Sequence, residues 1–160
     1  AGMWQHLRSL RGMKNDSRGW IKTLLEEAEN ERMHLMIFIE IAKPNAFERY
    51  LILFAQAVFW NFYFVLYVFF PKVAHRMVGY FEEQAVISYT QYLEEIDSGL
   101  IENTPAPTTA IEYYGLRTDA TLRDVVLRVR QDEEGHRDEN HGMADLLVST
   151  RGEPLGNSPQ

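Results

Sequence analysis

The 160-residue sequence contains no cysteine. A disulfide framework and a thiolate metal site are therefore both excluded. Positive charge is also scarce, since 16 Lys and Arg stand against 23 Asp and Glu and give a formal net charge of -7. Such a chain suits the phosphate backbone of nucleic acid poorly, so we predict no nucleic-acid partner. Any metal must be held by carboxylates and imidazoles, a donor set that suits iron or manganese.

Prolines and glycines are also few, 6 and 10 in the whole chain, and they divide it into helical segments. A proline disfavours helix at the residue before it, so Pro44 and Pro71 each end a segment. The predicted helical segments are 1–10, 20–42, 47–70, 73–97 and 119–148, with a short turn at Tyr113 and Tyr114. The length suffices for one core, so we predict an all-α domain over residues 1–150 and a disordered tail over 151–160.

Two Glu-x-x-His steps stand out on segments that both read as helix, Glu31 to His34 and Glu133 to His136. Residues three apart share one face of a helix, so each step directs a carboxylate and an imidazole toward the same point. The metal site of ferritin-like di-iron carboxylate bundles is built from four helices. Two of them carry a Glu-x-x-His step, and each of the other two gives a single Glu. Solvated helix charges are the alternative interpretation.

The residues before the two steps are Asn30 and Asp132. A metal-bound imidazole needs a partner on its other ring nitrogen, and both residues are predicted to support the site in this way. The alternative for Asp132 is one more surface acid in an acidic run. His75 and His141 complete no Glu-x-x-His step, and we interpret them as supporting or structural residues rather than ligands.

A third segment between the two steps carries Glu82 and Tyr89, which lie two helical turns apart on one face. Glu83 is rotated about 100° away from that face. If this helix gives one ligand, Glu82 is therefore the predicted residue, with Tyr89 near the same metals.

Residues 50–70 are nearly all apolar or aromatic, and the stretch is long enough to span a bilayer. One crossing would place ligands of a single metal site on opposite sides of the membrane, because candidate ligands stand both before and after it. The helix is therefore predicted either to lie in the membrane interface or to be buried in protein. An interfacial helix presents an apolar face to acyl chains, and Trp60, Tyr63 and Tyr67 suit the headgroup region.

Three segments, in their order along the chain, closely resemble the motifs of the alternative oxidases. These are di-iron ubiquinol oxidases attached to one face of a membrane. The segments are residues 30–35 (NERMHL), 82–85 (EEQA) with Tyr89, and 132–138 (DEEGHRD). The resemblance runs from about residue 1 to residue 147. It implies a ferritin-like di-iron four-helix bundle with an additional apolar interfacial helix. The ligands of two iron ions that it implies are Glu31, His34, Glu82, Glu133 and His136.

The resemblance also implies an activity: an iron pair takes electrons from ubiquinol and reduces dioxygen to water, with Tyr89 as the catalytic residue that gives an electron and a proton. A quinol pocket is implied along the same helix, on a stripe that would otherwise be interpreted as plain helix packing. The stripe consists of Val78, Phe81, Ala85 and Ser88. The implied protein is a homodimer attached to the matrix face of the mitochondrial inner membrane, with a bacterial or plastid membrane as the alternative.

The chain departs from the family pattern in several places. The first iron-ligating Glu of the family is expected upstream of Ala1, so we interpret the chain as N-terminally truncated, with the first bundle helix largely missing. Gln84 stands where the family has a Glu, and Ser88 where it has Thr. Gly135 lies inside a ligand helix and is expected to cost about 1 kcal/mol relative to Ala.

Three other interpretations remain open from the sequence. The plastid terminal oxidases use the same chemistry on plastoquinol. A soluble ferritin-like iron-storage protein, or a radical-generating di-iron protein, would have to bury the apolar stretch completely. A non-catalytic membrane-attached helical module is the correct description if the chain cannot hold iron.

Overall fold

The computed structural model describes residues 1–16 and 18–152 of the chain. Six α-helices make up most of this described part, which confirms the predicted all-α class. They are α1 (Gly2–Gly12), α2 (Trp20–Ala42), α3 (Ala46–Phe69), α4 (Pro71–Asp97), α5 (Thr108–Tyr114) and α6 (Leu122–Gly152). Residues 151 and 152 of the predicted tail are thus helical, and residues 153–160 lie outside the described residues.

The helix bounds follow local signals in most places. The bounds of α2 agree with the prediction, and α3 begins behind Asn45, whose side chain forms a capping box with Glu48. Helix α4 begins at Pro71 rather than at residue 73, because proline fits the first turn of a helix, where its missing N–H is not needed.

Helices α5 and α6 differ more from the prediction. The predicted turn at Tyr113 and Tyr114 is the end of the seven-residue helix α5. Helix α6 begins at Leu122, not at residue 119, because the backbone before it is paired elsewhere. Ala120 accepts a hydrogen bond from the backbone N–H of Ala106, and Leu122 donates to Thr104. These pairs join the segment before α5 to the segment before α6.

Apolar side chains form clusters on either side of the acidic middle of the bundle. One cluster centres on Ile37, Val125 and Val129, all fully buried between α2, α5 and α6. The other contains Trp20, Leu24 and Met143 at the opposite ends of α2 and α6. Each fully buried aliphatic side chain stabilises the fold by about 1.5–3 kcal/mol. The polar middle therefore lies between two well-packed ends.

Helix α3 lies against the bundle with little of its surface covered. It is long and apolar enough to cross a membrane, yet only 6% of its most apolar 18-residue window is buried. Among its residues, Tyr67 alone is buried, at 1% exposure. The prediction that Tyr67 faces lipid headgroups is therefore wrong, because its hydroxyl is hydrogen-bonded inside the protein to Gln5 and His75.

Helices α4 and α6 pack closely where Gly79 faces the ring of His141. A Cβ atom added at Gly79 would lie 2.6 Å from that ring. The ring has little freedom to move, because Arg76 Nη1 lies 2.8 Å from its Nδ1 and Glu83 Oε1 lies 3.1 Å from its Nε2. A glycine at this position therefore sets the distance between the two helices.

We expect Gly79→Ala to lower the free energy of unfolding by about 1–3 kcal/mol, the usual cost of overpacking a close helix contact. Gly142→Ala is the matched control, since it also replaces a helical glycine but meets open space among the described atoms. That control should raise stability by up to about 1 kcal/mol. Denaturant unfolding of both variants checks the pair, and equal stability would show that His141 does not constrain the crossing.

Candidate metal centre

The five predicted ligand residues meet in the polar middle of the bundle. Glu31, Glu82, Glu133 and His136 each offer one ligand atom, and these atoms all lie within 4.8 Å of one another. His34 completes the group, with its Nδ1 3.3 Å from Glu133 Oε1 and 3.6 Å from Glu31 Oε1. Helices α2, α4 and α6 thus direct three carboxylates and two imidazoles to one point.

Several atoms that face this point are buried without a hydrogen-bond partner among the described residues. They are Nδ1 of His34, Nδ1 of His136 and Oε2 of Glu133. His136 Nδ1 lies 2.9 Å from Glu31 Oε1, which is close enough for an ion pair, but the alignment is not that of a hydrogen bond. A buried polar atom left unpaired costs about 1–3 kcal/mol, so three in one place require an explanation. A bound cation satisfies all three, and the residues present fit one.

The pKa values of the site residues also indicate that the site suits a cation. Burial lowers the pKa of His34, but the carboxylates of Asp132, Glu133 and Glu31 outweigh burial and raise it to about 11. The pKa of His136 rises to about 10, because Glu133 and Glu31 again outweigh burial. Burial raises the pKa of Glu82 to about 9, and the neighbouring Glu133 adds to the shift. Near neutral pH, three protons therefore hold the positive charge that a metal would supply.

Metal binding is accordingly expected to release protons. Imidazoles that bind a metal must be neutral, and carboxylates that bind one must be ionised. The pKa values of His34, His136 and Glu82 lie above 7, so all three groups are protonated at neutral pH. Raising the pH toward these values removes the competing protons, so the affinity for Co²⁺ or Mn²⁺ should increase from about pH 6 to about pH 8. Calorimetric titrations in two buffers of different ionisation enthalpy measure the release; a pH-independent affinity would contradict it.

Asp132 supports the site from behind His34. Its Oδ2 lies 3.1 Å from His34 Nε2 and accepts hydrogen bonds from Tyr114 Oη at 2.7 Å and from Asn30 Nδ2 at 2.9 Å. The carboxylate therefore holds the ring so that Nδ1 faces the metal position. Asn30 donates to Asp132 and to Tyr113 Oη, and its hydrogen bonds within the described residues include none to an imidazole.

No sequence motif predicted that Tyr113 and Tyr114 hydrogen-bond to Asn30 and Asp132 in this arrangement. Both belong to α5, and the backbone pairing of the preceding and following loop brings α5 over α2. Burial raises the pKa of the Tyr114 phenol, and the hydrogen bond to Asp132 raises it further, so the phenol stays protonated and remains a donor.

Tyr89 lies beside the carboxylate cluster, with its ring stacked on Phe38 at a centroid distance of 5.7 Å. Burial raises the pKa of the Tyr89 phenol, and the charges of Glu133 and Glu31 raise it further, so the phenol stays protonated. The proposed quinol stripe continues along the same helix. Val78 and Ala85 are half-buried there, and Phe81 and Ser88 are exposed.

Glu83, His75 and His141 lie outside the five-residue cluster. Glu83 contacts His141, as the predicted rotation from Glu82 requires. His75 is fully buried and bonds Asn140 and Tyr67. These contacts give both histidines structural partners.

The fold and the site define a helical bundle with a carboxylate and histidine metal centre, and comparison with known proteins narrows this class. A family described as "Alternative oxidase" matches residues 1–145. The chain belongs to the alternative oxidase family, which confirms the family predicted from the three motifs.

Similar proteins carry names that fit this family. The chain is 57% identical over 148 residues to "Ubiquinol oxidase, mitochondrial" of Batrachochytrium dendrobatidis, covering 92% of this chain and 46% of that protein. It is 56% identical over 158 residues to the Mangifera indica protein of the same name, covering 99% and 49%. It is 58% identical over 158 residues to "Ubiquinol oxidase 2, mitochondrial" of Nicotiana tabacum, covering 99% and 52%. The chain spans about half the length of the curated relatives it matches.

Proposed function

We propose that this chain is the metal-binding part of a ubiquinol oxidase that reduces dioxygen to water at a pair of iron ions. The observation that carries the proposal is the convergence of three carboxylates and two imidazoles, with unpartnered buried atoms, on one point. The names of the relatives support the choice of ubiquinol as substrate. The residues that would hold the irons are Glu31, His34, Glu82, Glu133 and His136.

When bound, the iron pair supplies the redox chemistry between quinol and dioxygen. Oxidation of two quinols releases four electrons and four protons, and these convert one dioxygen to two waters. Asp132 keeps His34 oriented toward the metals, because it accepts the hydrogen bond of the ring nitrogen that faces away from them. Tyr89 stays protonated beside the carboxylates, so its O–H is available to give a proton and an electron.

The quinol is proposed to approach along α4. Phe81 is half exposed and contacts Phe59 of α3 at a ring centroid distance of 6.1 Å, so the stripe borders the apolar helix. A lipid-soluble substrate that reaches the stripe from the membrane would pass Ser88 and arrive next to Tyr89. Gln84, where the family has a Glu, is exposed on the same helix.

Quinol-dependent oxygen uptake in the presence of cyanide tests this function. The protein expressed from its complete coding sequence should consume oxygen with ubiquinol, and cyanide should leave the rate unchanged because the proposed chemistry uses no haem. Uptake that stops with cyanide would contradict the proposal. Comparing ubiquinol with plastoquinol distinguishes the plastid-type alternative.

Membrane attachment through α3 belongs to the same proposal. Eleven large apolar or aromatic side chains of α3 are exposed: Phe47, Tyr50, Leu51, Leu53, Phe54, Val58, Phe59, Trp60, Phe62, Val65 and Phe69. A soluble monomer rarely exposes so continuous an apolar surface. Because α2 and α4 bring ligands to one site from both ends of α3, the helix is proposed to lie in the interface plane rather than to cross it. This surface disfavours a soluble iron-storage protein.

Replacing Phe54 and Phe62 together by Asp should weaken binding to lipid vesicles by about tenfold or more, because two exposed aromatic rings no longer enter the acyl region. Leu100→Asp is the control, since Leu100 is also an exposed apolar residue, at 76%, but does not belong to α3. Vesicle co-sedimentation measures both variants. Equal binding of the double variant and the control would show that α3 is not the attached surface.

Location and assembly are the remaining parts of the proposal. The relatives are named mitochondrial. The protein is proposed to bind ubiquinol at the matrix face of the mitochondrial inner membrane.

A homodimer is proposed through α1, on which Met3, Leu7 and Leu10 form an exposed apolar stripe. Light scattering in detergent measures the assembly state, and a monomer would refute the dimer without affecting the metal site.

A further inference from the structure

A second buried polar arrangement lies beside the metal centre, and the proposed chemistry does not use it. Its five members come from five helices and form one hydrogen-bonded chain, here called the buried polar chain. They are Gln5 of α1, Tyr67 of α3, His75 of α4, Asn140 of α6 and Glu27 of α2. Tyr67, His75 and Asn140 are at most 1% exposed.

The direction of each hydrogen bond in the chain is fixed. The amide nitrogen of Asn140 donates to two oxygens, Glu27 Oε1 and the backbone carbonyl of His136. Its oxygen must therefore accept from His75 Nδ1, at 2.9 Å. Burial lowers the pKa of His75, so the ring is neutral and its Nε2 accepts from Tyr67 Oη at 3.0 Å. Tyr67 in turn accepts from Gln5 Nε2 at 2.9 Å.

One end of the chain reaches the helical turns that carry the metal ligands. Asn140 Nδ2 lies 3.0 Å from the carbonyl oxygen of His136, one turn away on α6. Glu27 precedes Glu31 by one turn on α2. The amide of Asn140 thus connects the two ligand helices immediately behind His136 and Glu31.

The other end reaches the apolar helix. Tyr67 is the buried residue of α3, and its ring packs edge-on against His75 at a centroid distance of 5.1 Å. On its other side His75 is packed edge-on against Trp20, at 5.8 Å. The position of Tyr67 therefore determines the position of His75, and through it the position of Asn140.

We propose that Tyr67, His75 and Asn140 are positioning residues that couple the seating of α3 on the bundle to the orientation of the ligand turn around His136. A displacement of α3 breaks the bond between Tyr67 and His75, so the imidazole loses the donor that fixes its tautomer, and its own bond to the Asn140 oxygen is weakened. The turn behind His136 then loses its side-chain support. The expected effect on metal binding rests on the proposed function. The coupling between α3 and the turn around His136 does not require a bound metal.

Two variants test the coupling through metal binding. Asn140→Leu keeps the side-chain volume and removes all hydrogen bonds at the end of the chain, and it should lower Co²⁺ affinity by about tenfold, as losing an outer support of a metal ligand does. It should also change the visible absorption of the bound Co²⁺. Tyr67→Phe removes one hydroxyl at the far end and should shift affinity and absorption in the same direction by a smaller factor.

Each variant has a matched control. Val126→Ala removes packing from a buried residue of the same helix that belongs to a separate apolar cluster, and Tyr63→Phe removes a hydroxyl one turn from Tyr67. Both should leave the Co²⁺ affinity and absorption unchanged even if they lower the unfolding temperature. The inference is overturned if Asn140→Leu and Tyr67→Phe leave the metal properties unchanged, or if the controls alter them equally.

A separate readout keeps the coupling distinguishable from the metal site. Amide hydrogen exchange across residues 133–140, measured without metal, should speed up in Tyr67→Phe and stay unchanged in Tyr63→Phe. If the unsubstituted chain binds no divalent metal, the proposed function fails, while this exchange difference still supports the coupling. If exchange in 133–140 is equal in the two variants, the coupling fails whatever the metal result.

Discussion

Glu82→Ala is expected to abolish iron loading, whereas Glu83→Ala should leave it in place. The two residues are adjacent on α4 and have the same side chain, but the helix turns them to different neighbours. Glu82 offers an oxygen to the cluster with Glu31 and Glu133. Glu83 instead contacts His141, with 3.1 Å between Oε1 and Nε2.

The expected loss is large, because removing an outer support already costs about 10–100-fold in metal affinity and a direct ligand should cost more. Metal analysis of the two purified variants measures it, with unfolding temperatures recorded to confirm that both fold. Equal iron loss in Glu82→Ala and Glu83→Ala would show that the ligand was assigned to the wrong residue.

Tyr89→Phe should retain iron and lose most of the turnover. The substitution removes only the hydroxyl, so the ring still stacks on Phe38 and the ligands are untouched. If the O–H gives a proton and an electron during the reaction, its loss should lower the rate by about a hundredfold or more. Quinol-dependent oxygen uptake, measured on the protein expressed from its complete coding sequence, checks the rate, and metal analysis checks the iron.

Tyr92→Phe is the matched control for this prediction, because it removes a hydroxyl one turn further along α4. It should retain both iron and activity. A fully active Tyr89→Phe would remove the redox role, and Tyr89 would then be a core residue that packs on Phe38.

The parts of the fold that depend on local signals could be predicted from the sequence. Helix α2 ends where Pro44 follows, and the i to i+3 spacing placed Glu31 with His34, and Glu133 with His136, on shared faces. The choice of Glu82 over Glu83 also follows from helix rotation alone. These features need only the geometry of one helix at a time.

The parts that depend on contacts between distant segments could not be predicted in this way. A supporting role for Asp132 was predicted, but its partner was not: Asp132 stands next to Glu133 in the sequence, yet it supports His34 on another helix, 98 positions away. The start of α6 depends on backbone pairing with the loop before α5. Tyr67 resembles the other aromatic residues of α3, and only the packing against His75 shows that it is buried.

The count and coupling of iron in the purified protein test the central claim most directly. Mössbauer spectroscopy of the iron-loaded protein, expressed from its complete coding sequence, should show two irons per chain as one magnetically coupled pair, as expected for metals about 3.5–4 Å apart. The pair should be lost as a unit in Glu133→Ala, because Glu133 lies between both imidazoles. A single isolated iron, or a coupled pair that survives Glu133→Ala, would contradict the account.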